Sequence, residues 1–223
     1  MLIIAIPKSA STSLMKTLGE LYNLPAKQTF FPDQKPPADY SHLWKYHGDI
    51  RQITPRQAAK FARRKTIYKQ HIPPTRQNRK LLHDVKKVIL LRRPIDVLSA
   101  YFRGAKKGVH NTLADFKDVK TKDECIERAE SIGLLDELRQ FRQTWKQDTG
   151  RKLIITYQEL TQSPQKTIAR IEDYWDLPVV NQDVELAKER FSRISTPQVL
   201  LNKIYWRPVK NLASLIKRLI TKP

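Results

Sequence analysis

Short, continuous apolar runs alternate along this chain with longer segments whose apolar residues recur at helical spacing. Residues 2–6, 87–91 and 152–156 are rich in Ile, Leu and Val, as expected of strands that are buried on both faces of a parallel sheet. Residues 66–69 predict another short strand of this kind. The pattern therefore predicts a central sheet made of buried strands.

Helical segments lie between these strands. In residues 11–22, for example, Leu14, Leu18 and Leu21 share one face. The stretch 25–41 holds four prolines and predicts a loop. Strands that alternate with helices indicate an α/β fold with a mainly parallel sheet flanked by helices, and the length suits a single domain over residues 1–223. The predicted helices are 11–22, 55–64, 96–102, 122–146 and one that starts at Pro164 with Ser163 as its N-cap.

The composition indicates a globular protein of the reducing cell interior. The 223 residues are 40% hydrophobic, which is enough for a substantial core. The one cysteine, Cys125, cannot form an internal disulfide. No run approaches the roughly 20 apolar residues of a membrane-spanning helix, and the run 2–6 is too short for a signal peptide. We therefore expect a soluble, cytoplasmic protein.

The net charge of +20 indicates an anionic partner. The segment from Arg51 to Arg93 contains fourteen lysines or arginines and a single acid, Asp84. Such a block suits a nucleic acid, an anionic glycan, a membrane surface or a phosphorylated cofactor. The alternative is a solvated basic surface with no ligand.

Residues 6–14, Ile-Pro-Lys-Ser-Ala-Ser-Thr-Ser-Leu, connect the first predicted strand to the first predicted helix. A helix start offers unpaired backbone N–H groups and the positive end of the helix dipole, and Lys8 and four hydroxyl side chains add to it. This segment predicts an anion-binding loop. It is not the loop of nucleotide triphosphatases, because G-x-x-x-x-G-K-[ST] is absent. A purely structural alternative is that Ser11 or Thr12 caps the helix.

Residues 88–101 repeat the arrangement of a strand, a basic residue and a helix. Ligands of open parallel sheets bind beyond the C-terminal ends of the strands, so Arg92 is expected at the same crevice as Lys8. The planar guanidinium of arginine can bind two phosphate oxygens at once. The alternative is a surface salt bridge of Arg92 or Arg93 with Asp96.

Three segments together resemble motifs of one family, the sulfotransferases that use 3′-phosphoadenosine-5′-phosphosulfate (PAPS). Residues 7–14 resemble the P-K-S-G-T-T-x-L loop, which binds the 5′-phosphosulfate in that family. Residues 92–99 resemble the 3′-phosphate-binding segment R-[ND]-P-x-D-V-x-x-S, and residues 157–178 resemble the stretch Y-E-D-L…P…L-G-L-P. The motifs occur in the family's order, and the resemblance covers roughly residues 2–178. It implies a P-loop NTPase-like sulfotransferase architecture, followed by a C-terminal helical segment, 179–223.

The resemblance implies that PAPS is the donor and that the loop around Lys8 holds its 5′-phosphosulfate. Arg92, helped by Ser99, would bind the 3′-phosphate, and the third motif suggests Tyr157 for packing against adenine. The implied cofactor-binding residues are Lys8, Ser9, Ala10, Ser11, Thr12, Ser13, Arg92, Ser99 and Tyr157.

Three positions depart from the family pattern. Ala10 replaces the usual glycine, so the backbone there must avoid a positive φ or accept strain. Ser99 follows Arg92 by seven residues, where the family usually has eight. Ser13 stands where many cytosolic members carry an adenine-stacking tryptophan.

Residues 69–73, Lys-Gln-His-Ile-Pro, resemble the K-T-H-L-P segment of cytosolic sulfotransferases, whose histidine is the general base. This implies His71 as the base, with Lys69 near the sulfonate and Lys8 as the third catalytic residue. A hydroxyl nucleophile needs a proton acceptor that titrates near neutrality, as histidine does. The structural alternative is a polar histidine at a strand end. Among the other histidines, His47 is the next candidate, because it lies in the basic region before the second strand.

The resemblance implies direct in-line transfer of a sulfuryl group to a hydroxyl or amine, with no covalent enzyme intermediate. We expect no metal, because the His, Cys and acidic residues lack a ligand spacing. The basic block 51–93 exceeds what the donor alone requires. We therefore expect an anionic acceptor, such as an acidic carbohydrate or a lipid-linked glycan.

Two other functions suit parts of the pattern. The positive charge suits a nucleic-acid-binding protein, but no helix-turn-helix, zinc finger or RNA-binding signature accompanies it, so nucleic acid is not the expected partner. A P-loop-type small-molecule kinase would share the strand-loop-helix anion site. Residues 209–222 have a basic amphipathic pattern, which predicts either docking on the core or peripheral contact with the inner face of a membrane.

Overall fold

The structure is a computed structural model that describes residues 1–29, 37–47, 50–106, 114–116, 118–178 and 191. The strands within these residues are β1 (Leu2–Ala5), β2 (Ala26–Lys27), β3 (Ile67–Gln70), β4 (Lys87–Leu91) and β5 (Lys152–Thr156). They form one sheet in the order β2-β3-β1-β4-β5, and every pair is parallel. The predicted parallel sheet is confirmed.

The first strand of the chain occupies the middle of the sheet. Leu2 pairs with Tyr68 of β3 on one side and with Lys87 of β4 on the other. All four residues of β1 are buried. Because the strand is covered on both faces, apolar residues occupy it without alternation, as the sequence predicts.

Helices cover both faces of this sheet. The helices are α1 (Ser11–Leu21), α2 (Ser41–Tyr46), α3 (Pro55–Ala62), α4 (Arg76–Leu82), α5 (Pro94–Lys106), α6 (Lys122–Ser131), α7 (Leu134–Gln147), α8 (Tyr157–Gln162) and α9 (Pro164–Trp175), with 3₁₀ turns at Ala38–Tyr40 and Ala114–Phe116. Side chains from α1, α8 and α9 form the core on one face, and side chains from α2 to α7 form the core on the other. The α/β class predicted from the sequence is confirmed.

The core also anchors the segment that follows β3. Trp145 of α7 is fully buried, and its indole Nε1 donates a 2.9 Å hydrogen bond to the carbonyl of Ile72. Farther along this segment, the side-chain nitrogen of Asn78 donates to the carbonyls of Pro73, at 2.9 Å, and Arg51, at 3.0 Å. The chain next to His71 is therefore held by buried contacts.

The single helix predicted for residues 122–146 is wrong. Two helices, α6 and α7, occupy this region, and Gly133 lies between them in a left-handed conformation with φ of 80°. Glycine adopts this conformation at little cost and commonly ends helices. The turn lets α6 and α7 pack on each other and on α5.

The predicted loop 25–41 is also wrong in part, because β2 and the first 3₁₀ turn lie within it. The sequence pattern gives no signal for α4, which is mostly polar. This helix is fixed at its start by Thr75, whose hydroxyl accepts a 3.2 Å hydrogen bond from the backbone N–H of Asn78.

Helix starts follow the predicted positions but not always the predicted caps. Helix α9 begins at Pro164 as predicted, yet the Ser163 side chain makes no capping hydrogen bond. Helix α1 begins at Ser11, and its N-cap is Ala10, which has no side chain that can cap. The expectation that Ser11 or Thr12 caps α1 is therefore wrong.

The described residues include no helix that is both long enough and apolar enough to cross a membrane. The basic amphipathic pattern at 209–222 lies outside the described residues, as does the rest of 179–223 apart from the buried Phe191.

Candidate active site

The C-terminal ends of adjacent strands bring the candidate residues to one edge of the sheet. Lys8 follows β1, Arg92 follows β4, and Tyr157 follows β5. Lys69 lies at the end of β3 and His71 directly after it. Because β1 is between β3 and β4, Lys8 lies between the histidine on one side and the arginine on the other.

The loop after β1 is strained at two positions. Lys8 and Ala10 have φ angles of 59° and 66°, in the left-handed region. This conformation costs a residue with a Cβ atom about 1 kcal/mol or more. Of the two alternatives for alanine in place of glycine, the structure therefore shows accepted strain. Between them, the fully buried Ser9 donates its hydroxyl to the carbonyl of Ile6 at 2.7 Å and closes the turn.

The start of α1 is open to an anion. Its first helical hydrogen bond runs from the N–H of Leu14 to the carbonyl of Ala10, at 3.1 Å. The N–H groups of Ser11, Thr12 and Ser13 precede it and have no carbonyl of their own helix to bind. Together with the left-handed turns, they form the kind of cradle that binds phosphate oxygens.

Arg92 faces this loop from β4. Its guanidinium donates a short hydrogen bond to the main-chain carbonyl of Lys8 and lies 3.8 Å from the ring centroid of Tyr157. Its Nε is buried and has no hydrogen-bond partner among the described residues. Burial lowers the pKa of this guanidinium, which nevertheless stays charged. Arg92 thus links the first predicted motif to the third.

Arg93 has a different role. Its side chain points to solvent and pairs with Asp96 at 2.7 Å. The hydrogen bond from Arg93 lowers the pKa of the Asp96 carboxyl. The surface salt bridge considered as an alternative is therefore correct for Arg93, while Arg92 contacts Lys8 and Tyr157 instead.

A cleft of about 480 Å³ opens beside Arg92, between the ends of β4 and β5. Its volume is within the range of small-molecule sites. Arg142 of α7 contributes to its wall, and no sequence motif marks this residue. The polar and charged residues that line the cleft are Arg92, Arg93, Asp96, Arg142, Thr156, Tyr157, Gln158, Thr161 and Gln162.

Ser99 is not among the residues that line this cleft. It is 8% exposed, and its hydroxyl donates to the carbonyl of Ile95, one turn earlier in α5, at 2.8 Å. Its predicted contact with the 3′-phosphate stays a prediction.

The side chain of His71 is buried on the other side of Lys8. Its Nδ1 lies 2.6 Å from the carbonyl oxygen of Ala5, and its Nε2 lies 2.9 Å from Nζ of Lys69. A nitrogen that faces a carbonyl must carry the proton, so the neutral ring is protonated at Nδ1. Its Nε2 then has a lone pair, which accepts from the Lys69 ammonium.

His47, the second histidine candidate, lies beside His71. The two ring centroids are 5.1 Å apart in an edge-to-face arrangement. The Nε2 atom of His47 is hydrogen-bonded to the hydroxyl of Tyr101, whose ring centroid is 5.3 Å from Nζ of Lys8. No sequence motif marks Tyr101, because a buried aromatic on a helix resembles any core residue.

The remaining described histidines lie elsewhere. His42 pairs with Glu137 and His83 with Asp84. The described residues contain no group of three or more His, Cys, Asp or Glu that could hold a metal ion.

The fold and the residues at this edge agree with the result of the family comparison. The sulfotransferase domain model matches residues 1–199. The chain therefore belongs to the sulfotransferase family. No curated protein matches it in sequence.

Two solved structures resemble the chain, each with a TM-score of 0.52 and 16% sequence identity. One is the mouse sulfotransferase SULT7A1 complexed with PAP, and the match covers 86% of this chain and 63% of the mouse chain. The other is a sulfotransferase from Alicyclobacillus acidocaldarius, with 97% of this chain and 94% of that chain covered. The chain thus spans less than two thirds of the mouse protein, and at this identity the likeness shows the fold.

Proposed function

We propose that this chain transfers a sulfuryl group from PAPS to a hydroxyl or amine of an acceptor. The observation that carries the proposal is the convergence of Lys8 and Arg92, joined by a hydrogen bond, beside a cleft that Tyr157 lines. PAPS has two anionic groups joined through a nucleoside, and this edge offers two cationic positions with an aromatic ring. The mouse relative was solved with PAP.

The described residues suit such a donor. The loop and first turn of α1 would hold the 5′-phosphosulfate through the backbone N–H groups and hydroxyls of residues 9–13. A 3′-phosphate in the cleft would supply acceptor oxygens to Arg92, whose Nε has no partner in the described part of the chain. The ring of Tyr157 lies on the guanidinium and also lines the cleft, where adenine would pack.

Two lysines would stabilise the charge that develops during transfer. Bound PAPS supplies the sulfuryl group and a phosphate leaving group. Lys8 would contact the oxygen of the breaking bond, and Lys69 would contact the sulfonate. Fixed cations of this kind lower the barrier without reorganising during the reaction. The proposed mechanism requires no metal.

His71 would act as the general base. The acceptor oxygen forms its bond to sulfur as the bond between sulfur and the 5′-phosphate oxygen breaks, and the acceptor proton passes to Nε2 of His71. In the structure, Nε2 lies 2.9 Å from Nζ of Lys69. A sulfonate gives the Lys69 ammonium an anionic partner, which would leave Nε2 for the acceptor.

The acceptor class follows from charge. Helices α3 and α4 pack on each other, and α4 continues the chain a few residues after His71. Nearby, Trp44 is 36% exposed and would offer a sugar ring an apolar surface for stacking. These features support an acidic carbohydrate or a lipid-linked glycan as the acceptor. The exposed basic residues around α3 and α4 are Arg56, Lys60, Arg63, Arg64, Lys65, Arg76 and Lys80.

Calorimetric titration with PAP, AMP and ATP tests the donor. We expect micromolar or tighter binding of PAP that requires the 3′-phosphate, and a loss of about tenfold to a hundredfold in Arg92→Ala. Arg139→Ala is the control, because it removes an exposed arginine that pairs with Glu130 and Asp136 and does not line the cleft.

Equal binding of PAP and AMP would overturn the proposal. Preference for ATP would favour the kinase alternative, and tight binding of DNA or RNA in place of PAP would favour nucleic-acid binding. The acceptor class is tested separately with a sulfated oligosaccharide, whose affinity should fall steeply with salt, against an uncharged one of equal length.

A further inference from the structure

We infer that Tyr101 and His47 are positioning residues for sulfuryl transfer, and that Tyr101 couples the donor lysine, Lys8, to the base, His71. This inference rests on the proposed function. The observation behind it is a continuous series of contacts. The series runs from the Lys8 ammonium to the Tyr101 ring, from the Tyr101 hydroxyl to His47, and from the His47 ring to His71.

Tyr101 contacts Lys8 through its ring and His47 through its hydroxyl. It is on α5, is 3% exposed, and packs on Tyr46 at a ring distance of 6.2 Å. The Nζ atom of Lys8 is 5.3 Å from its ring centroid, within the range of a cation–π interaction. Since a lysine side chain has four rotatable bonds, a fixed aromatic ring restricts where its charge can lie.

The hydroxyl of Tyr101 fixes His47. It is hydrogen-bonded to Nε2 of that ring, and the two ring centroids are 5.6 Å apart. The backbone of His47 is fixed as well, because its N–H donates to the carbonyl of Leu43 at 2.9 Å and its carbonyl accepts from Ile50, also at 2.9 Å. The ring of His47 therefore has a defined orientation at the end of α2.

The ring of His71 contacts His47 in addition to its hydrogen bonds. Its bonds to Ala5 and Lys69 both use ring nitrogens, so both lie near the plane of the imidazole. The contact with His47 is made by the ring itself, edge-to-face with 67° between the ring planes. A general base must point its lone pair at the proton it accepts, so contacts that fix the position of this ring affect the reaction.

The charged and titratable groups around this series lie on β3, after β1, after α2 and in the 3₁₀ turn Ala114–Phe116. Lys69 lies on β3, Lys8 follows β1, and His47 directly follows α2. Tyr46, beside Tyr101, is hydrogen-bonded to Asp115. Lys69 contacts Nε2 of His71 at 2.9 Å, whereas His47 contacts the His71 ring edge-to-face.

Two substitutions at one position separate the two contacts of Tyr101. Tyr101→Phe keeps the ring beside Lys8 and removes the hydroxyl that binds His47. Tyr101→Leu removes both. Tyr46→Phe is the matched control, because it also removes a partly buried tyrosine hydroxyl, but one that binds Asp115.

The measurements are PAP affinity by calorimetry and the tautomer and ¹⁵N chemical shifts of His71 by NMR of the ¹⁵N-histidine-labelled chain, which has five histidines. We expect wild-type His71 to be protonated at Nδ1. Tyr101→Phe should change the ¹⁵N chemical shifts of the His71 ring and bind PAP within about twofold of wild type. Tyr101→Leu should show the same His71 change and bind PAP about three- to tenfold more weakly. His47→Ala should reproduce the His71 change with wild-type PAP affinity.

An unchanged His71 spectrum in both Tyr101→Phe and His47→Ala would overturn the inference. So would wild-type PAP affinity in Tyr101→Leu. Unfolding curves identify any variant that fails to fold, and the inference is then judged on the variants that do fold. If the wild-type chain shows no preference for the 3′-phosphate, the proposed function fails, whereas the NMR result still reports on the series of contacts.

Discussion

The guanidinium of Arg92 donates a hydrogen bond to the main-chain carbonyl of Lys8, 84 positions earlier in the chain. This bond joins the loop after β1 to the end of β4, and the ring of Tyr157 lies on the same guanidinium. One side chain thus holds the loop, contacts the aromatic ring and faces the cleft.

The first prediction concerns this geometry. Arg92→Lys keeps the positive charge but loses the planar guanidinium, which can donate to the Lys8 carbonyl and to an anion at the same time. We expect PAP affinity to fall about tenfold to a hundredfold and AMP affinity to change much less, as measured by calorimetry. Wild-type PAP affinity in this variant would show that a positive charge alone, without the guanidinium geometry, is sufficient for PAP binding.

The second prediction concerns Ala10, which has a φ of 66°. Ala10→Gly should raise the free energy of unfolding by about 1 kcal/mol, because glycine adopts this conformation without strain. Chemical denaturation measures the change. Ala59→Gly, at an exposed position inside α3, is the control and should lower the free energy of unfolding by about 1 kcal/mol. A loss of stability in Ala10→Gly would show that the alanine is not strained.

The third prediction concerns Glu137, which caps α2 from a neighbouring helix. Its carboxylate accepts hydrogen bonds from the backbone N–H groups of His42, at 3.0 Å, and Leu43, at 2.7 Å. Glu137→Gln loses one of these acceptors in a buried setting and should lower the free energy of unfolding by about 1–3 kcal/mol. Faster amide exchange at Leu43 should accompany the loss. Glu130→Gln removes an exposed carboxylate that pairs with Arg139 and should change stability by less than about 0.5 kcal/mol.

The fourth prediction concerns Lys87, which is fully buried at the start of β4. Burial lowers the pKa of Lys87 to about 8, from an ordinary value of 10.5. Between these two values the unfolded chain binds more protons than the folded chain, so the contribution of this residue to stability rises with pH. Below about pH 8 both states hold the proton, and the contribution no longer changes.

Urea unfolding of wild type and Lys87→Met at pH 7.5 and 9.5 measures this difference. We expect wild type to gain about 1–2 kcal/mol relative to Lys87→Met between the two pH values. Lys86→Met removes one positive charge at the neighbouring position and should keep the wild-type pH dependence. Parallel curves for wild type and Lys87→Met would contradict the prediction.

Much of the fold can be predicted from local pattern. The strands β1, β4 and β5 are all apolar-rich runs, although the expectation that 152–156 is buried on both faces is wrong, because β5 lies at the edge of the sheet and only Ile155 is buried. Helix α3 begins at Pro55 after a threonine that caps it. The strand order is not a local property, since it depends on which runs pair. The break at Gly133 escapes prediction because apolar spacing continues across it. Helix α4 escapes prediction because its buried apolar residue, Leu82, is at its last position, so no apolar periodicity marks it, and Thr75 and Asn78 fix its start.

Some residues of the candidate site can also be identified from local sequence, and others cannot. The sequence identifies Lys8, Arg92 and His71, because each follows a strand with the chemistry of an anion or proton site. The sequence also ranks His47 next among the histidines, and the structure places it beside His71. Tyr101 cannot be identified from the sequence, because its role depends on the neighbours that the fold gives it.

The central position of β1 has a consequence for how the chain is made. Leu2 pairs with Tyr68 and with Lys87, so both neighbours of the first strand are synthesised long after it. Until β3 and β4 leave the ribosome, an apolar strand has two unpaired edges, which favours association with other chains. The bond from His71 to Ala5 and the bond from Arg92 to Lys8 also wait for this pairing. A nascent chain that ends before Lys87 can therefore pair β1 with β3 only, and it carries the anion loop beside a strand that still has one unpaired edge.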